Sequence, residues 1–184
     1  MLIATRVAIV TLVTVLIARP GAACYAGAVP PQDLVNQATV IVLARAVQAR
    51  HPPQTIGTKD IVEFVVDETL KGSAPSGPLL LPGTISDWDD FNDGPVPYTF
   101  VRPGGRGGNC SATSYRQGGS FLLLLQALRN GQKTPWERLS EQSPLDSSRH
   151  DLTTSWAALS PTNEQVHGLD DPWIVWVRQR LTLR

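Results

Sequence analysis

Asp60-Ile61-Val62-Glu63-Phe64-Val65-Val66-Asp67-Glu68-Thr69-Leu70 is the stretch that decides the fold class. Val62, Phe64 and Val66 fall on one side of an extended chain, and Glu63, Val65 and Asp67 on the other. Successive side chains of a strand point to opposite faces, so this period of two predicts a strand with one buried face. Lys71-Gly72-Ser73 turns it. Upstream, residues 38–50 contain Val40-Ile41-Val42-Leu43, a continuous apolar run suited to a strand buried on both faces and ended by His51-Pro52-Pro53. Downstream, Leu79-Leu80-Leu81 begins a further strand, Tyr98 to Val101 a short one, and Phe121 to Leu128 a strong one. Asn130-Gly131, a favoured hairpin pair, turns the chain so that residues around Trp136 to Leu139 can pair back.

Helices flank these strands. Pro30-Pro31-Gln32-Asp33-Leu34-Val35-Asn36-Gln37 reads as a short helix with proline in its first turn. Thr162 with Gln165 makes a capping box. Asp171-Pro172 then opens a helix to about Leu183, with aspartate at the N-cap and proline at the first helical position. Trp173, Val177 and Leu181, four apart, form its apolar stripe, while Arg178 and Arg184 suit the C-terminal end. Five tryptophans (Trp88, Trp136, Trp156, Trp173 and Trp176) are many for one domain. The two on the last helix, beside arginines, are expected to dock onto the strands; the alternative is a helix lying on a membrane surface. Residues 83–97, with Asp87, Asp89, Asp90 and Asp93, and residues 140–154 read as exposed loops.

The beginning of the chain carries an address. Arg6 precedes an apolar run from Val7 to Ala18, and small residues lead to Gly21-Ala22-Ala23-Cys24, the layout of a bacterial export signal. Twelve residues fall short of the roughly 20 needed to span a bilayer, and nothing later approaches a span, so no transmembrane segment is expected in the mature chain. Residues 1–23 are therefore read as a signal peptide and 24–184 as a single domain, exported to the periplasm or secreted. Three fates of Cys24 stay open. Cleavage before it leaves it as the first mature residue, cleavage after Ala26-Gly27-Ala28 removes it, and lipid attachment makes the chain an envelope lipoprotein. Without Arg6 and Arg19 the chain holds 14 bases against 16 acids, a balance that argues against a nucleic-acid partner.

Cys24 and Cys110 are the two cysteines, and a pair in an exported chain suggests one disulfide. It would close a loop of about 87 residues, worth about 4.5 kcal/mol on chain-entropy grounds. A buried free Cys110 is the alternative.

The order of features resembles the OB-fold barrels of the netrin-module and tissue-inhibitor-of-metalloproteinases type. A cysteine near the mature start, a short helix and Val40–Ala46 come first. Phe64-Val65-Val66-Asp67-Glu68-Thr69-Leu70-Lys71-Gly72 follows, and later Cys110 with Gly118-Gly119-Ser120-Phe121-Leu122-Leu123. Exported bacterial proteins that share this order are similar as well. The resemblance covers residues 24 to 128 and implies a mainly β fold: a small closed OB-like barrel with a short N-terminal helix and a C-terminal amphipathic helix. In the inhibitors of that type a first-position cysteine binds the protease zinc through its amino group and carbonyl, and Cys24 is the matching residue. Those inhibitors carry a second cysteine two positions on, where this chain has Ala26.

Other chemistry is sparse. His51, His150 and His167 are widely scattered, so no metal centre is expected from them. Asp87, Asp89, Asp90 and Asp93 form a candidate ion-binding loop, although an EF-hand started at Asp89 would put Phe91 and Phe100 at ligand positions. Pro103 to Asn109 is glycine-rich but lacks the lysine and hydroxyl of a phosphate loop; Arg102 and Arg106 beside it are candidate anion ligands. There is no Gly-x-Ser-x-Gly elbow, and the proximity of Ser148, His150 and Asp151 in sequence does not make a triad. No catalytic residue and no cofactor is assigned. The expectation is a non-enzymatic binding or structural module, its partner unknown and an envelope protein among the candidates. A lipid-anchored form is the alternative, and protease inhibition or catalysis ranks below both.

Overall fold

A computed structural model describes residues 29–50, 60–74, 77–106, 112–127, 156–158 and 163–183. In order these form α1 (Pro31–Gln37), β1 (Val40–Arg50), β2 (Ile61–Lys71), β3 (Leu79–Pro82), β4 (Thr84–Ser86) and a 3-10 turn (Pro103–Gly105). Then come β5 (Ser114–Arg116), β6 (Ser120–Ala127), β7 (Trp156–Ala158), β8 (Glu164–Val166) and α2 (Pro172–Thr182). The described residues are mainly β with two helices, as expected. Cys24, Cys110, the residues around the export signal, the Asn130-Gly131 turn, Trp136–Leu139, residues 140–154 and Thr162 lie outside the described residues.

The main sheet is antiparallel, in the order β3-β2-β1-β6-β7, with β8 pairing on β6 beside β7. β1 sits at its centre, and this explains its unbroken apolar run: both of its faces are covered. On one face Val40, Val42, Ala44 and Ala46 meet Phe64, Leu79, Leu81, Phe121, Leu123 and Leu125, capped by Tyr115 of β5. On the other, Ile41 and Leu43 meet Leu122 and Leu124 beneath Leu34, Val35, Trp173, Ile174 and Val177 of the two helices. Phe64, Tyr115 and Phe121 pack edge to face, with centroids 4.9 to 6.1 Å apart, an arrangement their ring quadrupoles favour. β4 and β5 form a separate parallel pair, which the sequence reading did not foresee.

Among the described residues no sheet closes into the expected barrel. The sheet curls until Cα atoms of β3 and β7 come within 8 Å of each other, but no ladder joins these two strands. Closure requires a continuous ladder between first and last strands. Here one edge is four residues ending in Pro82 and the other is three residues, and a proline has no N–H to offer. Two further expectations are corrected. Tyr98 to Val101 forms no strand, and Gln165 lies in β8 rather than in a helix cap.

The helices are fastened by polar contacts as well as by packing. Asp171 caps α2, its Oδ1 accepting the Trp173 N–H at 2.9 Å and its Oδ2 the His167 N–H at 3.0 Å. Trp173, Ile174 and Val177 are buried and Leu181 packs beside them, so the predicted stripe docks. Arg178 donates to both oxygens of Glu68, at 2.9 and 2.7 Å, which ties α2 to β2. Lys71 donates to the carbonyls of Val35 (2.8 Å), Asn36 (3.0 Å) and Ala38 at the end of α1, where helix carbonyls lack intrahelical partners. The next residue, Gly72, has φ +72°, and a Cβ there would lie 2.4 Å from the Thr39 carbonyl oxygen. Both facts require glycine. Among the described residues no helix is long and apolar enough to cross a membrane.

Candidate functional site

Where the β4–β5 pair meets β8 the interior turns polar. The chain leaves β4, runs through Asp87 to Asp93, returns through Arg102 and the 3-10 turn to β5, and meets β8 in space. Arg102 is fully buried. Its Nε donates to the Asn163 carbonyl at 2.7 Å and its Nη2 to the carbonyls of Ser114 (2.6 Å) and Ala112 (3.2 Å). Nη1 donates to Asp90 Oδ2. The guanidinium carbon also lies 5.4 Å from the ring centroids of both Tyr115 and Phe121, a cation–π arrangement strengthened by exclusion of water. Asp90, itself buried, accepts the Gly104 N–H at 2.7 Å through its second oxygen.

Around this pair lies a ring of amides and acids. Gln165 accepts the Asp90 N–H at 2.8 Å and donates to Asp89 at 2.6 Å. Asn163 donates to the Tyr115 hydroxyl at 2.9 Å, while its Oδ1 is buried with no hydrogen-bond partner among the described residues. Burial raises the Tyr115 hydroxyl pKa against the opposing pull of Arg102 and Asn163. Asn92 donates to the Phe100 carbonyl at 2.8 Å and to Glu164 Oε2 at 3.2 Å, and its Oδ1 accepts the Gly94 N–H at 2.9 Å. Glu164 is 1% exposed. Burial drives its carboxyl pKa up to about 8, against the Asn92 hydrogen bond and the charges of Arg102 and Arg106, with Asp90 adding to the rise. Burial thus favours the protonated form of this side chain well above the usual carboxylate range. Tyr98 nearby is raised to about 12 by burial and by the carboxylates of Asp171 and Glu164.

The residues singled out from sequence have separate fates here. Asp89 pairs with Arg116 at 2.8 Å, Asp90 with Arg102, and Asp93 with Arg106; Asp87 is exposed. The acidic loop thus turns three of its four carboxylates toward three different arginines. Among the described residues no group of three or more His, Cys, Asp and Glu is placed to hold a metal ion. Arg102 and Arg106 come to the same segment, but Arg102 is wholly interior. Arg106 donates from Nε to the Val101 carbonyl at 2.8 Å and grips Asp93 with both terminal nitrogens. That contact holds the Asp93 carboxyl below the usual carboxylate range. Sequence reasoning missed Asn92, Tyr115, Asn163, Glu164 and Gln165. No local signal marked them: Glu164 and Gln165 are polar residues in a strand, directly before the buried Val166, and Asn163 precedes them.

Chemically, the cluster is a set of hydrogen bonds that cross-links four segments, with one buried carboxyl, Glu164, at its margin. Comparison with protein-family models, with curated proteins and with solved structures finds no match for this chain.

Proposed function

We propose that this chain is an exported binding or structural module of the periplasm or cell exterior that does not act as an enzyme. The observation that carries the export reading is Arg6 followed by the apolar run Val7–Ala18 and the small residues before Cys24. The non-catalytic reading is supported by how the charged residues are used: Arg102, Arg106 and Arg116 are each engaged with an aspartate of the neighbouring loop. Groups held this way cross-link a fold; they are not free to grip and release a substrate. The resemblance to netrin-type modules fits the same class. Lipid anchoring through Cys24 is the second reading, favoured by the cysteine directly after Ala22-Ala23.

The test is the intact mass of the mature protein from its own cells, with and without reductant. A mass starting at Cys24 and lighter by one pair of hydrogens before reduction supports a soluble domain stapled to Cys110. A mass increased by lipid selects the anchored form. A chain that still carries residues 1–23 overturns export. For catalysis, hydrolysis of a generic ester or peptide library that Cys110→Ser abolishes without unfolding the protein would overturn the non-enzyme reading.

A further inference from the structure

Glu164 stands apart from the other acids of the cluster. It is buried, its Oε2 meets the Asn92 amide at 3.2 Å, and the nearby guanidinium groups of Arg102 and Arg106 are bonded to Asp90 and Asp93. Asn92 is the pivot of its loop: the same Nδ2 holds the Phe100 carbonyl and its Oδ1 holds the Gly94 N–H. The neighbouring Gln165 holds the Asp90 N–H, and Asp90 in turn holds the Gly104 N–H. One strand of three residues, β8, therefore anchors the segment from Asp90 to Arg106 through two adjacent side chains.

We propose that the Glu164 carboxyl is a proton-operated latch between β8 and the 90–106 segment, closed while the acid is neutral and released when it ionises. The groups around it set the direction. The 90–106 segment presents Asp90, Arg102, Arg106 and Tyr98. The cap of α2 presents Asp171, whose carboxylate acts on the same Tyr98. β6 presents apolar Leu122 opposite Glu164, and β8 continues into His167, whose ring stacks on Phe91 at 3.7 Å. The two arginines are already committed to Asp90 and Asp93. An ionised Glu164 would have to share them or leave the interior, because an uncompensated buried carboxylate is strongly disfavoured. Leaving pulls on Asn92 and with it on the Gly94 and Phe100 bonds. The latch thus loosens toward alkaline pH, and it does so whether or not the chain is exported.

The experiment is amide hydrogen exchange, read as protection factors so that the intrinsic pH dependence of exchange is removed, from about pH 6 to about pH 9. Protection at Asp90, Gly94 and Gly104 is expected to fall at least about tenfold across that range, the equivalent of one pKa unit of coupling. Amides of the β1–β6 ladder should hold. In Glu164→Gln, which keeps an oxygen for Asn92 and cannot ionise, the fall should vanish. Protection that stays flat in the natural chain, or a fall that persists in Glu164→Gln, overturns the latch. Should that variant fail to fold, a carbon NMR titration of the natural protein decides. A Glu164 carboxyl midpoint well above the ordinary glutamate range supports the latch, and an ordinary midpoint overturns it.

Discussion

The β1–β6 seam and the cluster around Arg102 are equally buried, yet they are held by opposite means. Along the seam, Val42 faces Leu123 and Leu43 faces Leu122, and each contact is one of many interchangeable apolar ones. In the cluster, one guanidinium holds Asp90 and three backbone carbonyls, those of Ala112, Ser114 and Asn163, and so joins three segments. Loss in the first region is graded, because a smaller side chain forfeits area and leaves a cavity. Loss in the second exposes the partner that remains: a buried carboxylate without its cation costs more than the pair contributed.

That contrast breaks most sharply at Arg102. Arg102→Met should cost about 5 kcal/mol in denaturant unfolding, since it strands Asp90 and three carbonyls. Adding Asp90→Asn should recover at least about 2 kcal/mol; plain additivity of the two changes would show that the cluster is not a network. Glu164 comes next. Its folded-state pKa, raised to about 8 from 4.5, means that the folded protein keeps a proton the unfolded chain has lost. Its contribution is full below about pH 4.5 and disappears as pH rises to about 8, roughly 4 kcal/mol over the interval as an upper bound. Subtracting the pH–stability profile of Glu164→Gln isolates it from acids such as Glu63 and Asp93. Those two, lowered by their hydrogen-bonded partners, act in the opposite sense at low pH.

On the apolar side, Leu123→Ala should cost about 3 kcal/mol by the same denaturation assay, with no pH dependence of its own. Asp171→Ala removes the α2 cap and should cost about 1 kcal/mol, seen as a lower thermal midpoint. The smallest effect is expected at Arg45→Ala. Its pair with Asp67, at 2.9 Å, is exposed to solvent on the sheet surface, and the midpoint should not move measurably.

The same division governs what could be read in advance. β1, β2, β6 and both helices were legible because their signals are local: alternation around Phe64, the run at Val40–Leu43, and Asp171-Pro172 at a helix start. The cluster was not. Arg102 finds the Asn163 carbonyl 61 residues away and Asp90 finds Gln165 75 residues away, and no periodicity reports such a pairing. For that reason the 83–97 stretch, polar and rich in turn residues, reads as a solvated loop although Asp90 is interior. β8 was disguised by its own residues, since Gln165 three places after Thr162 reads as a capping box rather than as part of a strand. The barrel expectation failed at the edges, where short strands and Pro82 leave no ladder to close.

The stacking on α2 gives the molecule an optical gauge of its own assembly. The indoles of Trp173 and Trp176 lie nearly parallel, at 7° with centroids 5.0 Å apart, and the Tyr98 ring lies 5.0 Å from Trp173 on the loop side. Indoles stacked in a fixed, asymmetric setting give near-ultraviolet circular dichroism, and this signal should fade when the helix loses its integrity. The second pair should pass tyrosine excitation efficiently to the indole, and that transfer should weaken when the loop and helix part. The two signals read different hinges of one structure, and neither needs an added label.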